Sequence, residues 1–290
     1  MKKKIRFIIN PVSGNGRNIQ IRDIIHKYID KDQFDYEISF TEYAGHATQL
    51  SKEAAEKEYF AVIAVGGDGS VNEAGRGILY SNTALGIVPR GSGNGLALHL
   101  KIPIVASEAV RRINKANVTS IDSLSLNDEL CMGIAGLGFD AHVAHQFAKA
   151  GKRGLSTYLK VILREYNLFP ASAVEFEIEG KTFSKEAFLL TFANSSQYGN
   201  MAQIAPMADI QDGEMEICIL KKVPVLKTPF FAFRLFTRSS QRSSFLEIIK
   251  AKEVTIKQWI GDHLHIDGEP VFMHLPLKVK VNPLSIKVIV

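Results

Sequence analysis

The run Val65-Gly66-Gly67-Asp68-Gly69-Ser70-Val71-Asn72-Glu73 brings paired glycines, a carboxylate, a hydroxyl and an amide together. Paired glycines let the backbone turn sharply and present N–H groups to an anion. The β-branched run Ala61–Val65 leads straight into it, so Asp68 is expected at the C-terminal end of a strand, beside that anion site. A carboxylate there does little for a fold. It makes sense if it meets a metal–phosphate complex or takes up a proton.

Three more segments carry similar chemistry: Asn10-Pro11-Val12-Ser13-Gly14-Asn15-Gly16, then Thr41 with Gly45-His46-Ala47-Thr48, then Pro89-Arg90-Gly91-Ser92-Gly93-Asn94-Gly95. Each follows a strand candidate: Ile5–Asn10, Asp35–Phe40 and Ala84–Val88. Helix candidates Ile19–Ile29, His46–Glu58 and Val71–Leu79 fall between the strands. Short β-rich runs alternating with helices predict a parallel sheet covered on both faces, whose ligands bind at the strands' C-terminal ends. Any one glycine loop reads equally well as a plain turn. Their recurrence after every strand predicts a phosphate-binding rim. No G-x-x-x-x-G-K-[ST] segment is present, the Gly14-Asn15-Gly16 run lacks the third glycine of a dinucleotide fingerprint, and the protein-kinase signatures are missing.

Composition frames these loops. The chain has 290 residues, enough for two domains with proper cores. No stretch approaches a membrane span, and the apolar run Ile5–Ile9 contains Arg6 and stops at Asn10-Pro11, too short for a signal peptide. Cys131 and Cys218 lie far apart without metal spacing, which fits a reducing cytosol and no disulfide framework. A formal charge of +5 and a pI near 9.0 allow anionic partners. The excess is modest for a nucleic-acid binder, and no aromatic–basic RNA motif is present. After about residue 125 the pattern changes to short strands, Ala173–Glu179, Phe188–Ala193, Met215–Leu220, Val254–Ile256 and His263–Ile266, interrupted by helical stretches Ala141–Lys149 and Thr157–Tyr166. The last strand, Ile286–Val290, is free to return to the first domain.

The blocks Asn10-Pro11-x-Ser13-Gly14, Gly66-Gly67-Asp68-Gly69-Ser70-x-Asn72-Glu73 and Pro89-x-Gly91-Ser92-Gly93-Asn94 together resemble the diacylglycerol kinase/sphingosine kinase catalytic-domain family, with the NAD kinases as more distant relatives. The likeness continues through Gly136-Leu137-Gly138-Phe139-Asp140-Ala141, Asn194, Ala205-Pro206-x-Ala208-Asp209, Asp212-Gly213 and Asp267-Gly268-Glu269, in the family's order along nearly the whole chain. The resemblance implies an N-terminal NAD-kinase-like α/β nucleotide-binding domain (1–125), a C-terminal β-sandwich domain (126–290) and an active site in the cleft between them.

It also implies roles. Asn10, Pro11, Val12, Ser13, Gly14, Thr41, Gly66, Gly67, Asp68, Gly69, Ser70, Val71, Asn72, Ser92 and Gly268 would hold ATP. Asp68 would organise Mg²⁺ through water, and Glu269 would be the general base, although some relatives give that role to the residue matching Asp68. Asp209, Asp212 and Glu214 match a structural Mg²⁺ site of the bacterial lipid-kinase branch, a solvated turn being the plainer reading. The implied function is ATP-dependent phosphorylation of a hydroxyl on a diacylglycerol-like or sphingoid lipid by a cytoplasmic enzyme peripheral to the membrane. Nucleic acid is not an expected partner, and a homodimer is the default assembly. The alternatives are NAD-kinase-like phosphorylation of a soluble nucleotide and a non-catalytic nucleotide- or lipid-binding module. Gly91-Ser92-Gly93-Asn94-Gly95-Leu96-Ala97 is closer to the sphingosine and ceramide kinase branch, but His142 stands where sphingosine kinases place an acidic residue for the substrate amine.

Several residues have simpler expected uses. His46 is expected to cap a helix, and Trp259 and most histidines to pack or face solvent. Lys149, Lys152 and Arg153 fit either a phosphate contact or a charged loop. Lys221–Lys257 holds nine Lys/Arg against two Glu, with Phe230, Phe231, Phe233 and Phe236 among them. That segment reads equally as a bilayer-docking surface or as an aromatic core with a basic exterior.

Overall fold

Strand β1 (Lys3–Ile9) buries Ile5, Phe7, Ile8 and Ile9 almost completely, as a strand covered on both faces must. The computed structural model describes residues 1–13, 18–149, 155–272 and 274–290. They form two units, Met1–Asp122 with Pro283–Val290, and Ser123–Asn282.

In the first unit, β2 (Phe34–Phe40), β1, β3 (Ala61–Gly66) and β4 (Ala84–Pro89) lie side by side in that order, all parallel. Helices α1 (Asn18–Tyr28), α2 (His46–Glu56) and α3 (Asp68–Gly77) make the crossovers that parallel strands require. Every residue of β3 and β4 is buried. These elements start and stop within three residues of their expected bounds. Two short helices, α4 (Gly95–His99) and α5 (Ala106–Ile113), were not expected. Arg6, buried in β1, is held by Glu37, Glu53 and the Leu50 carbonyl. Residues 283–290 add a strand beside β4. Val288 pairs with Leu85 in parallel, Tyr80 N–H donates to the Ser285 carbonyl, and Ile286, Val288 and Ile289 are buried.

The second unit is β-rich. It comprises β5 (Val118–Leu126, beginning in the first unit), β6 (Glu129–Cys131), β7 (Ile134–Gly138), β8 (Ser172–Ile178), β9 (Lys181–Ala187), β10 (Leu189–Ala193), β11 (Gln197–Gly199) and β12 (Ala202–Gln203). It continues with β13 (Met215–Leu220), β14 (Leu246–Ala251), β15 (Glu253–Trp259), β16 (His263–Ile266), β17 (Glu269–Phe272) and β18 (Leu277–Ile289), whose end lies in the first unit. One antiparallel sheet runs β14-β13-β10-β7-β16-β17, and β18, β15, β8 and β9 form antiparallel pairs in another. Strand alternation splits the first of these sheets cleanly. Leu137, Leu190, Phe192, Ile217 and Leu264 face the sandwich core with Phe176, Val254, Ile256, Trp259 and Val279. Ile134, Leu189, Ala193, Cys218 and Leu220 face a second core with Phe139 and Val143 of α6 (Phe139–Lys149) and Val161 of α7 (Leu155–Glu165). The remaining helix, α8 (Thr228–Phe236), packs Phe231 and Leu235 on that second core. Both cysteines are free thiols and buried. Among the described residues no helix is long and apolar enough to cross a membrane.

Candidate functional site

Because β2, β1, β3 and β4 are parallel, their C-terminal ends share one edge of the sheet. The ladder continues past the strands: Thr41 N–H donates to the Ile9 carbonyl, Asn10 N–H to Val65 and Arg90 N–H to Gly66. The four loops expected to form a rim therefore emerge together. Asn10 Nδ2 donates to Ser70 Oγ at 3.1 Å, joining the first loop to α3. The Asn10 side-chain oxygen accepts from Val12 N–H, and Ser13 Oγ donates to the Asn10 carbonyl, so Asn10 also braces its own loop. Ser92 is exposed and Val71 and Asn72 are buried in α3. Gly14 lies outside the described residues, as do Lys152 and Arg153.

Asp68 is the first residue of α3, with Gly67 as its N-cap and no side chain capping it. Its Oδ2 accepts the Asn94 N–H at 2.8 Å. Asn94, at φ 53°, folds its amide back on Gly91, accepting Gly91 N–H and donating to the Gly91 carbonyl, each at 2.8 Å. The two glycine loops consequently touch through their backbones: a Cβ on Gly91 would stand 2.5 Å from Gly67 Cα. Gly91→Ala forces the loops apart; if the loops hold a nucleotide, as the sequence leads one to expect, the variant should raise its KM about tenfold or more with a smaller effect on stability, a split that steady-state kinetics and thermal unfolding would reveal. An unchanged KM would show that the contact does not shape the site.

Glu73 joins two helices, and His46 behaves differently from expectation. Glu73 Oε2 accepts the Ala47 N–H, and Thr48 Oγ1 donates to the Glu73 carbonyl, which ties α2 to α3. The cap of α2 is Gly45, not His46. His46 Nδ1 instead accepts the Glu42 N–H, and its ring stacks on Tyr43.

In the second unit, Asp267-Gly268-Glu269 is a tight hairpin. Ile266 pairs with Glu269 across a two-residue turn in which Asp267 and Gly268 have φ of 49° and 84°, the handedness that Asp-Gly turns supply. Asp267 accepts N–H bonds from Met132, Gly133 and Ile134 at 3.0, 2.8 and 3.1 Å. Glu269 is exposed at the start of β17, with no side-chain hydrogen bond among the described residues. The triplet thus divides into an anchor, a turn and a presented carboxylate. Gly268 is required by the turn. Cys131 lies beside the anchor, and burial, reinforced by the Asp267 charge, pushes its thiol well above the ordinary range, so it is an inert thiol.

A buried polar nest lies on the helix-facing side of the six-stranded sheet. Gly136 on β7 is in register with Thr191 on β10 and His265 on β16. Asp140 of α6 sits over the bare glycine, where a Cβ would be 2.3 Å from Asp140 Oδ2. That oxygen accepts from Thr191 Oγ1 at 3.0 Å and Tyr198 OH at 3.2 Å, and His265 Nε2 is 3.3 Å away. Burial, then the Asp140 charge, holds the Tyr198 hydroxyl well above its ordinary value; Tyr158 is pushed up to about 12 for the same two reasons. Sequence reasoning missed this nest, since only strand register assembles it.

Asp209, Asp212 and Glu214 do not gather into a ligand set. Asp209 accepts the N–H of Gln211 in its own turn, while Asp212 accepts the Glu214 N–H and pairs with Lys250 Nζ at 2.7 Å. Lys250 Nζ is also 3.9 Å from Glu214, and its hydrogen bond to Asp212 raises the ammonium pKa. Lys250 thus neutralises part of this acidic turn, and the described residues contain no cluster of three His, Cys, Asp or Glu suited to a metal. The three side chains do not fit that ion.

The histidines divide between packed and solvent-facing positions, as expected: His145 and His265 are buried, and His26 and His274 are exposed. His142 pairs with Glu165 at 2.9 Å, and the rings of His145 and His263 lie 3.9 Å apart. Burial, then the neighbouring His145, lowers the His263 pKa. The folded state therefore takes up this proton less readily than the unfolded chain. Stability from His263 is complete above the ordinary histidine range and declines as pH falls through it. His263→Gln is expected to flatten the fall in thermal midpoint between about pH 7 and pH 5; an unchanged slope would assign that fall to other groups.

Comparison with known proteins agrees with this arrangement. The diacylglycerol kinase catalytic-domain profile matches residues 4–126, and the YegS C-terminal NAD kinase beta sandwich-like domain profile matches residues 133–290. A diacylglycerol kinase of Bacillus subtilis (strain 168) is 30% identical over 285 residues, covering 92% of this chain and 90% of that protein. A YegS-like lipid kinase of Chromohalobacter salexigens is 30% identical over 235 residues, covering 79% and 75%. Two solved structures from Bacillus anthracis str. Sterne share the fold. One has a TM-score of 0.82 at 25% identity and covers 99% of this chain and 97% of that one. The other, described as a diacylglycerol kinase, has a TM-score of 0.76 at 21% identity and covers 99% and 96%. The expected α/β domain followed by a β-sandwich is borne out, and the chain belongs to the family that joins a diacylglycerol kinase catalytic domain to a YegS-type β-sandwich.

Proposed function

We propose that this chain is an ATP-dependent lipid kinase that phosphorylates the hydroxyl of a diacylglycerol-like lipid. The observation that carries the reading is the Asp68–Asn94 clamp, which fixes a carboxylate between two glycine loops at the C-terminal edge of a parallel sheet. Polyphosphate needs N–H and O–H donors around it, and the uncapped first turn of α3, with Asn10, Thr41, Ser70 and Ser92, offers that donor set. Magnesium bound with the nucleotide would neutralise charge on the transferred group. Asp68 is a hard oxygen ligand suited to it through water.

An alcohol is a poor nucleophile until a base takes its proton. Asp68 is already committed to the Asn94 N–H, whereas Glu269 is exposed and without a side-chain partner among the described residues. Glu269 is therefore assigned as the base at the lipid hydroxyl, with Asp267 as its positioning residue. The diacylglycerol class is favoured over a sphingoid amine because relatives of high coverage carry that name and His142 offers no carboxylate. ATP and membrane lipid meet at the cytoplasmic face of a membrane, which is the proposed place of action.

The test is to incubate the purified chain with γ-labelled ATP, Mg²⁺ and, in separate reactions, diacylglycerol, sphingosine, ceramide and NAD. Label in diacylglycerol supports the proposal. Label in NAD alone would transfer the chain to soluble nucleotide phosphorylation, and label in none would make it a binding module.

A further inference from the structure

Helix α8 is apolar on nearly every side, yet only one side is covered. Phe231 and Leu235 pack inward on the second core, while Phe230, Phe233 and Phe236, spaced i, i+3 and i+6, are 73%, 67% and 57% exposed. Leu226 on the preceding turn is 89% exposed, and Val225 beside it is also bare. The outward phenylalanines fall on one arc of about 120°, opposite the packed face. Scattered exposed apolar residues are ordinary, but an aligned row of aromatics marks an interaction surface.

The charge around this row is one-sided. Residues 221–246 contain six Lys/Arg and no Asp or Glu. Lys221, Lys227, Arg238 and Arg242 are exposed. A two-fold contact between copies would bring these cations face to face. An anionic bilayer meets both features: its surface attracts the cations, and its interface takes up the aromatic rings.

We infer that α8 and its preceding turn form a membrane-docking surface, with Leu226, Phe230, Phe233 and Phe236 entering the headgroup region of an anionic leaflet. The sequence left this segment open between a bilayer surface and a core; α8 divides the two roles between its opposite faces. The inference stands apart from phosphoryl transfer, because its readout needs neither ATP nor a lipid product.

The test is co-sedimentation of the full chain with vesicles of phosphatidylcholine alone or of equimolar phosphatidylcholine and phosphatidylglycerol. Binding is expected only to the anionic vesicles and should weaken as salt rises. Replacing Phe230, Phe233 and Phe236 together by Ser should lower the partition coefficient about tenfold or more with the thermal midpoint retained. The independent variant Lys227→Glu/Arg238→Glu/Arg242→Glu should do the same, and it carries the test should the triple serine variant fold poorly. Equal partition of wild type and both variants would overturn the inference. So would sedimentation equilibrium in which the wild type is dimeric and the serine variant monomeric, since the row would then join two copies.

Discussion

Asp68→Asn is expected to lower kcat about a thousandfold while leaving the fold intact. Asparagine keeps an oxygen that can accept the Asn94 N–H, so the contact between the two glycine loops survives. What disappears is the negative charge assigned to the metal–nucleotide complex. Glu269→Gln should cause a loss of similar size by another route, because glutamine cannot accept the hydroxyl proton. The two variants separate under pH. If Glu269 is the base, Asp68→Asn retains the acid limb of the kcat/KM profile and Glu269→Gln loses it. Near-normal turnover in both variants would end the kinase reading, and the opposite pattern of limbs would exchange their roles.

Asp267→Ala should destabilise the protein by about 2–4 kcal/mol, the largest effect on stability expected of one substitution here. It removes a carboxylate that accepts three successive backbone N–H groups and leaves those donors facing a methyl. Alanine is also a poor residue for φ 49°. Asp267→Asn keeps the turn preference and one acceptor, so its cost should be clearly smaller. Urea unfolding with an unchanged slope measures both. A loss below about 1 kcal/mol for alanine would mean that the three N–H groups find other partners. Activity should fall in step, since Glu269 is held two residues beyond the anchor.

The parallel sheet could be read from the sequence because β-branched runs end in loops rich in glycine, serine and asparagine, a local pattern. Ala61–Val65 and Ala84–Val88 needed no tertiary information. Helix α8 was hidden because Thr-Pro-Phe-Phe-Ala-Phe reads equally as a bilayer surface or an aromatic core, and only tertiary packing of Phe231 and Leu235 shows which face is covered. Strand β18 extends from Leu277 through Pro283, where proline reads as a terminator. The Asp140 nest depends on Gly136, Thr191 and His265 meeting across three strands, and sequence does not state register. The pairing of Asp212 was hidden for a related reason: its partner, Lys250, lies on β14, far along the chain.

The strand that closes the first unit beside β4 is made of residues 283–290. During synthesis, roughly 160 residues must leave the ribosome between Asp122 and that strand, so the nascent first unit waits with one flank of β4 bare. Expressing residues 1–122 alone would reproduce that half-built state, and co-expressing a peptide of 283–290 in trans is the direct way to complete it.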